Sequence, residues 1–291
     1  MTIETALNSD ELKKPEPFFE VRVQELTSSP SAIGLCVGYE QGEWRTSQFA
    51  DYIMEWLPEF ALTFSEISSI HSGNMVSLIR EAAGKVYKTK KFENRGEFGE
   101  LFLHAAIRQV FDTIPAISKI YYKSAKNDTV KGFDAVHVIS TGEGLELWLG
   151  ETKFYNDITR AINDVIKELF AHTERDYLRD EFVLISGKID SKWPHGEELK
   201  KLLSARTSLD EVFKRISVPV LLTYDSPTIA KFKNCSDDYK KAFRQEIMNH
   251  YATFTSKKLP PITIHLFLLP LEEKKKLIKE LDRKLKAWQS I

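Results

Sequence analysis

Short apolar runs alternate with longer amphipathic stretches along most of the chain. Runs of strand length rich in β-branched and aromatic residues predict β-strands, and apolar residues at three- and four-residue spacing predict helices. The predicted strands cover 18–23, 32–39, 116–122, 132–140, 145–154, 181–189, 218–224 and 262–269. The predicted helices cover 46–62, 72–86, 97–111, a segment capped by Asp157, and 271–288. This alternation predicts an α/β fold, with a central mixed β-sheet flanked by helices and a last strand buried on both faces.

The predicted strands 132–140 and 145–154 are separated by a short glycine-containing loop, which indicates a β-hairpin. Because side chains alternate between the two faces of a strand, Glu151 and Lys153 lie on the same face. The hairpin folds the strand that begins near Asp134 against them. His137 points to the opposite face from Asp134, and we expect it to be a packed core histidine. Two acidic groups and one basic group are therefore predicted to converge on one sheet surface.

This convergence indicates a metal-dependent hydrolytic site. Burying carboxylates beside an apolar strand is costly unless positive charge compensates, and Lys153 supplies one charge for two acids. A hard divalent cation fits the deficit, with Asp134, Glu151 and a backbone carbonyl such as that of Thr152 as ligands to Mg²⁺ or Mn²⁺. Lys153 would then orient or activate the water that attacks a phosphodiester. The alternative is an exposed ion-pair cluster, which contributes under about 1 kcal/mol.

The predicted helix 97–111 carries a polar stripe, since Glu97, Glu100, His104 and Arg108 recur at helical spacing opposite a more apolar side. A glutamate early in this helix is a candidate third catalytic and metal-binding acid. Glu100 is the preferred candidate and Glu97 the reserve. The alternative is that both acids only complement the helix dipole, which favours negative charge in the first turn.

A basic run precedes this helix, with five cations and one anion between residues 85 and 95. Aromatic residues are interleaved with the cations, a combination that suits contacts with a nucleic-acid backbone and its bases. The alternative is a solvated linker. Tyr155, directly after the lysine strand, is a further candidate for DNA contact, or else an ordinary strand-end residue. The possible DNA contacts are Lys88, Lys90, Lys91, Arg95 and Tyr155.

Composition narrows the class of protein. The 291 residues include 41 Lys and Arg against 42 Asp and Glu, so the formal net charge is −1. Proteins that bind nucleic acid alone usually carry a basic surplus, so this balance argues either against a nucleic-acid substrate or for a basic partner or a local basic patch. Two cysteines without a CxxC pair, no long apolar run and a polar start predict a cytoplasmic protein that does not span a membrane.

The order of helix Glu100, strand Asp134 and the Glu151-Thr152-Lys153 triplet resembles the PD-(D/E)xK nuclease superfamily. More narrowly, the strings RGEFGELFLHAAIR, KGFDAVHV and LELWLGETKFY resemble the HamA family of the Hachiman antiphage system. The similarity runs from about Phe18 to the C-terminal helix. It implies a restriction-endonuclease-like core and Mg²⁺-dependent DNA cleavage, with Asp134 and Glu151 as metal ligands and Lys153 as the catalytic cation.

The resemblance also implies a partner. The HamA family is paired with a helicase subunit, HamB, that restrains the nuclease, and we expect a heterodimer in which the helicase captures the DNA. We expect a flexible tail at 1–16, a partner-docking segment at 17–94 and a nuclease core at 95–291. Two alternatives stay open, namely a non-catalytic interaction module with a nuclease fold, and a metal-dependent ribonuclease, since no residue pattern distinguishes DNA from RNA here.

Overall fold

The computed structural model describes residues 13–86, 96–118 and 132–291. Its centre is a seven-stranded mixed sheet in the order β1-β2-β9-β8-β7-β6-β5, accompanied by a small two-stranded ladder of β3 and β4. The strands are β1 Glu20–Glu25, β2 Ser31–Cys36, β3 Tyr39–Glu40, β4 Glu43–Trp44, β5 Ile114–Ser118, β6 Ala135–Thr141, β7 Gly144–Phe154, β8 Ile216–Asp225 and β9 Thr263–Leu271. The predicted α/β class with a mixed central sheet is confirmed.

Helices cover both faces of the large sheet. They are α1 Thr46–Glu55, α2 Leu57–Ala61, α3 Phe64–Ser68, α4 Met75–Lys85, α5 Glu97–Phe111, α6 Ile158–His172, α7 Arg175–Lys188, α8 Gly196–Leu202, α9 Leu209–Phe213, α10 Pro227–Lys231, α11 Asp237–Thr255 and α12 Lys274–Gln289. None of the helices in the described ranges combines the length and apolar character that crossing a membrane requires.

The strands from the two ends of the chain share one sheet. β7, β8 and β9 run parallel, and β2 joins them by parallel pairing with β9, whereas β1 and β5–β6–β7 pair antiparallel. Parallel strands in the middle of a sheet are covered on both faces, and β9 is buried along most of its length, as predicted. The predicted docking segment 17–94 thus contributes two strands to the same sheet as the core, and its docking role stays a prediction.

Helices α5 and α6 pack on opposite faces of β7. A Cβ on Gly99 of α5 would lie 2.9 Å from Phe154 Cβ, and the rings of Phe102 and Phe154 are 5.1 Å apart, so α5 covers the face with even-numbered residues. Glu151 and Lys153, on the odd-numbered face, contact α6 instead. This division decides which helix can complete a site built on the hairpin.

Two sequence predictions need correction. The predicted strand 181–189 is wrong, because residues 181–188 form the second half of α7 and Ile189 is its C-cap. The run of β-branched and aromatic residues suggested a strand, but the buried positions Leu178, Glu181, Phe182 and Ile185 have helical spacing, and Val183 is 73% exposed. The predicted helix 46–62 is interrupted at Trp56, where α1 ends and α2 begins.

Candidate functional site

The backbone of the β6–β7 hairpin holds Asp134 beside Glu151. Ala135 pairs with Gly150 in the antiparallel ladder. The Asp134 amide donates to the Gly150 carbonyl at 2.8 Å, and the Thr152 amide donates to Asp134 Oδ2 at 2.8 Å. The Asp134 carboxylate therefore lies against the backbone of the residue after Glu151, close enough for its charge to act on the Glu151 carboxyl.

The turn that leads into Asp134 rests on a buried carboxylate of α7. The Phe133 amide donates to Glu181 Oε1 at 3.3 Å. A Cβ on Gly132 would lie 2.9 Å from the same oxygen, so a larger residue would displace Glu181 or the turn. Glu181 therefore accepts a hydrogen bond from the turn before Asp134 and helps to fix that turn. The sequence analysis missed this role because it predicted a strand where α7 is helical.

Glu151 is the most deeply buried acid of the group, with 1% of its surface exposed. Its carboxylate contacts Nδ1 of His172, a residue of α6. The pKa of Glu151 is raised to about 7, mainly by burial; the contact with His172 opposes this rise and the nearby charge of Asp134 adds to it. A buried carboxyl whose ionised form is this costly lies where added positive charge would be favourable.

Lys153 is buried on the same face of β7 and donates to the Glu168 carboxylate of α6. Burial opposes the charge of this ammonium, but the Glu168 contact and the charges of Glu151 and Asp134 outweigh it and raise the pKa of Lys153. The three hairpin residues predicted to converge, Asp134, Glu151 and Lys153, thus lie in one electrostatically connected group.

Glu168 and His172 are site residues that the sequence analysis did not identify. Both lie on α6, whose buried stripe, with Val165 and Leu169, faces the sheet. Glu168 follows Val165 by three residues and His172 follows Leu169 by three, so both continue the stripe that faces β7. The signal was therefore present in the helical spacing, but its meaning required knowing that α6 covers Glu151 and Lys153.

The two helix glutamates are carried by α5 and not by the hairpin. Glu100 is buried on α5 and Glu97 is half-buried in the first turn of the same helix, which packs on the other face of β7 from Glu151. In the ranges that the structure describes, no three or more His, Cys, Asp or Glu side chains are arranged to hold a metal ion. The hairpin brings Asp134 and Glu151 together, whereas the roles of Glu100 and Glu97 stay predictions.

All four predicted DNA-contacting cations fall outside the described residues, namely Lys88, Lys90, Lys91 and Arg95. Tyr155 is described and half-buried directly after β7. Its hydroxyl donates to Asp164 Oδ2 at 3.4 Å, and the Arg160 guanidinium lies 4.8 Å from its ring centroid. The contact of Tyr155 with DNA stays a prediction.

The rest of the predicted polar stripe of α5 forms a buried cluster. His104 Nδ1 lies 3.1 Å from His137 Nε2, and His137 Nδ1 lies 2.8 Å from the Thr113 hydroxyl. Arg108 donates through Nε to Glu59 of α2 at 2.6 Å. His137 is therefore a packed, hydrogen-bonded core histidine, as predicted, and His104 and Arg108 of the polar stripe are buried as well.

The donor types at the hairpin suit a hard cation. Asp134 and Glu151 offer carboxylate oxygens, which Mg²⁺ and Mn²⁺ prefer, and Mg²⁺ commonly uses one or two protein carboxylates and keeps several waters. The high pKa of Glu151 in the absence of added positive charge agrees with this assignment. The residues present therefore fit a cation held by two carboxylates and water, with the ammonium of Lys153 in the same charge cluster.

Comparisons with known proteins identify the family. The chain is similar to Anti-bacteriophage protein A of Escherichia coli (strain K12), with 23% identity over 258 residues, which cover 85% of this chain and 46% of that protein. The chain thus spans less than half the length of this curated relative. A sequence model of the HamA family matches residues 16–285, nearly the whole chain. The protein therefore belongs to the HamA family.

Proposed function

We propose that this protein is a Mg²⁺-dependent deoxyribonuclease that acts in antiphage defence with a helicase partner. The observation that carries the proposal is the cluster of Asp134, Glu151 and Lys153 on one hairpin, at the end of an otherwise apolar strand. The antiphage context is supported by the family and by the name of the relative from Escherichia coli.

Asp134 and Glu151 would hold the ion. Bound Mg²⁺ supplies an acidified water and neutralises charge on the scissile phosphodiester. The protein's own contribution is orientation, because the Asp134 carboxylate is fastened by the Thr152 amide and the Glu151 carboxylate by His172. The Lys153 ammonium stabilises negative charge that develops on the phosphoryl oxygens or on the attacking water.

The helicase partner belongs to the same proposal. The balanced net charge of −1 favours a division of labour in which another subunit captures the DNA. Restraint of the nuclease by that subunit is what membership of the HamA family implies. The segment 17–94 is the candidate docking region. Cleavage of RNA by the same residues is the competing substrate class, and an assay with both nucleic acids separates the two.

The decisive test is Lys153→Ala. The substitution removes a cation needed in the transition state, so we expect cleavage to fall by at least about 100-fold, as for loss of a single electrostatic catalytic group. Its partner Glu168 has 41% of its side chain exposed, so water can solvate the carboxylate that is left and the fold should persist. The assay incubates purified protein with linear and supercoiled plasmid and with RNA, with and without Mg²⁺ and the helicase subunit.

Lys167→Ala is the matched control, since Lys167 lies on α6 with 78% of its side chain exposed. It should cleave like the unmodified protein. Full cleavage by Lys153→Ala, or loss of cleavage in both variants, would contradict the proposed role of the hairpin lysine.

A further inference from the structure

Two polar side chains of α6 face the hairpin cluster, one turn apart on the helix. Glu168 contacts the Lys153 ammonium and His172 contacts the Glu151 carboxylate. We propose that both are positioning residues of the nuclease site, with His172 orienting Glu151 toward the metal ion and Glu168 holding Lys153 in its working position. This inference rests on the proposed nuclease function and extends it to a helix outside the hairpin.

The imidazole of His172 packs against two aromatic rings. It stacks on Tyr177 with centroids 4.3 Å apart and planes 11° apart, and it meets Phe133 edge-to-face at 5.3 Å. When Glu151 is ionised, as a metal ligand must be, its carboxylate only accepts hydrogen bonds, so Nδ1 of His172 would donate to Oε1. The other carboxylate oxygen can then face an ion. Hydrogen bonds of this kind to metal-binding carboxylates typically change metal affinity or activity by about 10–100-fold.

Glu168 has a different effect on its partner. A lysine carries its charge on a flexible four-carbon stem, so an ammonium that must meet one phosphoryl oxygen needs an anchor. The Glu168 carboxylate provides it at the solvent boundary, with 41% of its side chain exposed. If Glu168 were only a surface acid, it would repel DNA, and its removal would lower KM for DNA. If Glu168 positions Lys153, its removal lowers kcat instead.

The N-terminal cap of α6 and its buried stripe determine which side chains of the helix face the sheet. The Asp157 side chain accepts from the Arg160 amide at 2.7 Å and caps the first turn. Ala161, Val165 and Leu169 are buried against the sheet. Glu168 and His172 are therefore presented to β7 by packing that does not depend on either side chain, and substituting them should leave the helix in place.

The role of His172 is tested by Mn²⁺ binding to the full chain without DNA, measured by calorimetry or by the electron paramagnetic resonance signal of free Mn²⁺. His172→Phe keeps a ring against Tyr177 but removes the donor, and we expect Mn²⁺ affinity to fall by about 10–100-fold. His172→Asn loses the ring but keeps a donor near the position of Nδ1, and we expect it to recover most of the affinity. Equal affinities in the unmodified protein and His172→Phe would overturn the inference, as would an equal loss in both variants.

The role of Glu168 is tested by steady-state cleavage. Glu168→Gln should lower kcat by about 10–100-fold while leaving KM for DNA unchanged, because Glu168 acts on the position of Lys153. Glu197→Gln is the matched control. It removes an exposed acid of α8, which pairs with Lys200 at 2.9 Å and lies on a different helix from Glu168. A kcat for Glu168→Gln equal to that of the control, or a lowered KM alone, would overturn the role.

The two levels of the proposal fail in different ways. The nuclease function would stand and the positioning role would be rejected if the unmodified protein cleaves, Lys153→Ala does not, and the His172→Phe and Glu168→Gln variants cleave fully. An unmodified protein that neither cleaves nucleic acid nor binds Mn²⁺ would reject the proposed function and the positioning role with it. Melting temperatures of all variants show whether a loss comes from the fold.

Discussion

The contact between Glu59 and Arg108 joins α2, in the predicted docking segment, to α5, in the predicted core. Glu59 accepts from Arg108 Nε at 2.6 Å and from Nη2 at 3.2 Å, a bidentate geometry. The two side chains are 9% and 6% exposed, so water compensates little for the loss of either. We predict that Glu59→Gln destabilises the whole described fold and not only the N-terminal segment.

The expected magnitude follows from burial. Removing one partner of a buried ion pair costs about 3–5 kcal/mol, because the remaining charge loses its compensation inside the protein. With an unfolding entropy of about 2.1 cal/mol/K per residue, a chain of 291 residues has about 0.6 kcal/mol/K in total, so the melting temperature should fall by about 5–8 °C. Glu59→Gln combined with Arg108→Met should cost less than the sum of the single changes, since it also removes the buried cation.

The measurement is urea unfolding followed by circular dichroism, together with calorimetric melting. Glu25→Gln is the matched control because Glu25 pairs with Arg244 at 2.7 Å across two elements, but with side chains 36% and 56% exposed. Exposed pairs contribute at most about 1 kcal/mol. A loss for Glu59→Gln no larger than that of Glu25→Gln would refute the reasoning that burial sets the cost.

Two further predictions concern the interior. Burial lowers the pKa of His104 and His137, so below about pH 6.5 the unfolded chain binds more protons than the folded chain and acid destabilises the fold. His137→Gln removes one of these groups, so the free energy of unfolding should fall by about 1 kcal/mol less between pH 6.5 and 5.5 than in the unmodified protein. Equal slopes of stability against pH in urea titrations of the two proteins would contradict this. Gly99→Ala places a Cβ 2.9 Å from Phe154 Cβ and should lower the free energy of unfolding by about 1–3 kcal/mol. Gly84→Ala has open space around it and should raise the free energy of unfolding by about 0.5–1 kcal/mol. Melting temperatures that change in the same direction in both variants would be inconsistent with the close approach of α5 to β7.

The amino-acid pattern by itself determined the local parts of this protein. Alternating apolar positions and a glycine-containing loop predicted the β6–β7 hairpin, and that hairpin alone accounts for the meeting of Asp134 with Glu151. Helical spacing predicted α5 and α6, and Asp157 was correctly predicted as a helix cap. These features depend on neighbours within a few residues or on one tight turn, so they can be read along the sequence.

The surroundings of the hairpin depended on tertiary structure. The segment 181–189 has strand-like composition but lies in α7, because packing of Leu178, Phe182 and Ile185 outweighs the β-propensity of the run. Likewise, nothing along the chain showed that α6 would cover the odd-numbered face of β7 and α5 the even-numbered face. Which helix supplies partners to Glu151 and Lys153 is decided by how elements distant in sequence stack on the sheet, and burial then sets the charges and contacts of the groups that meet there.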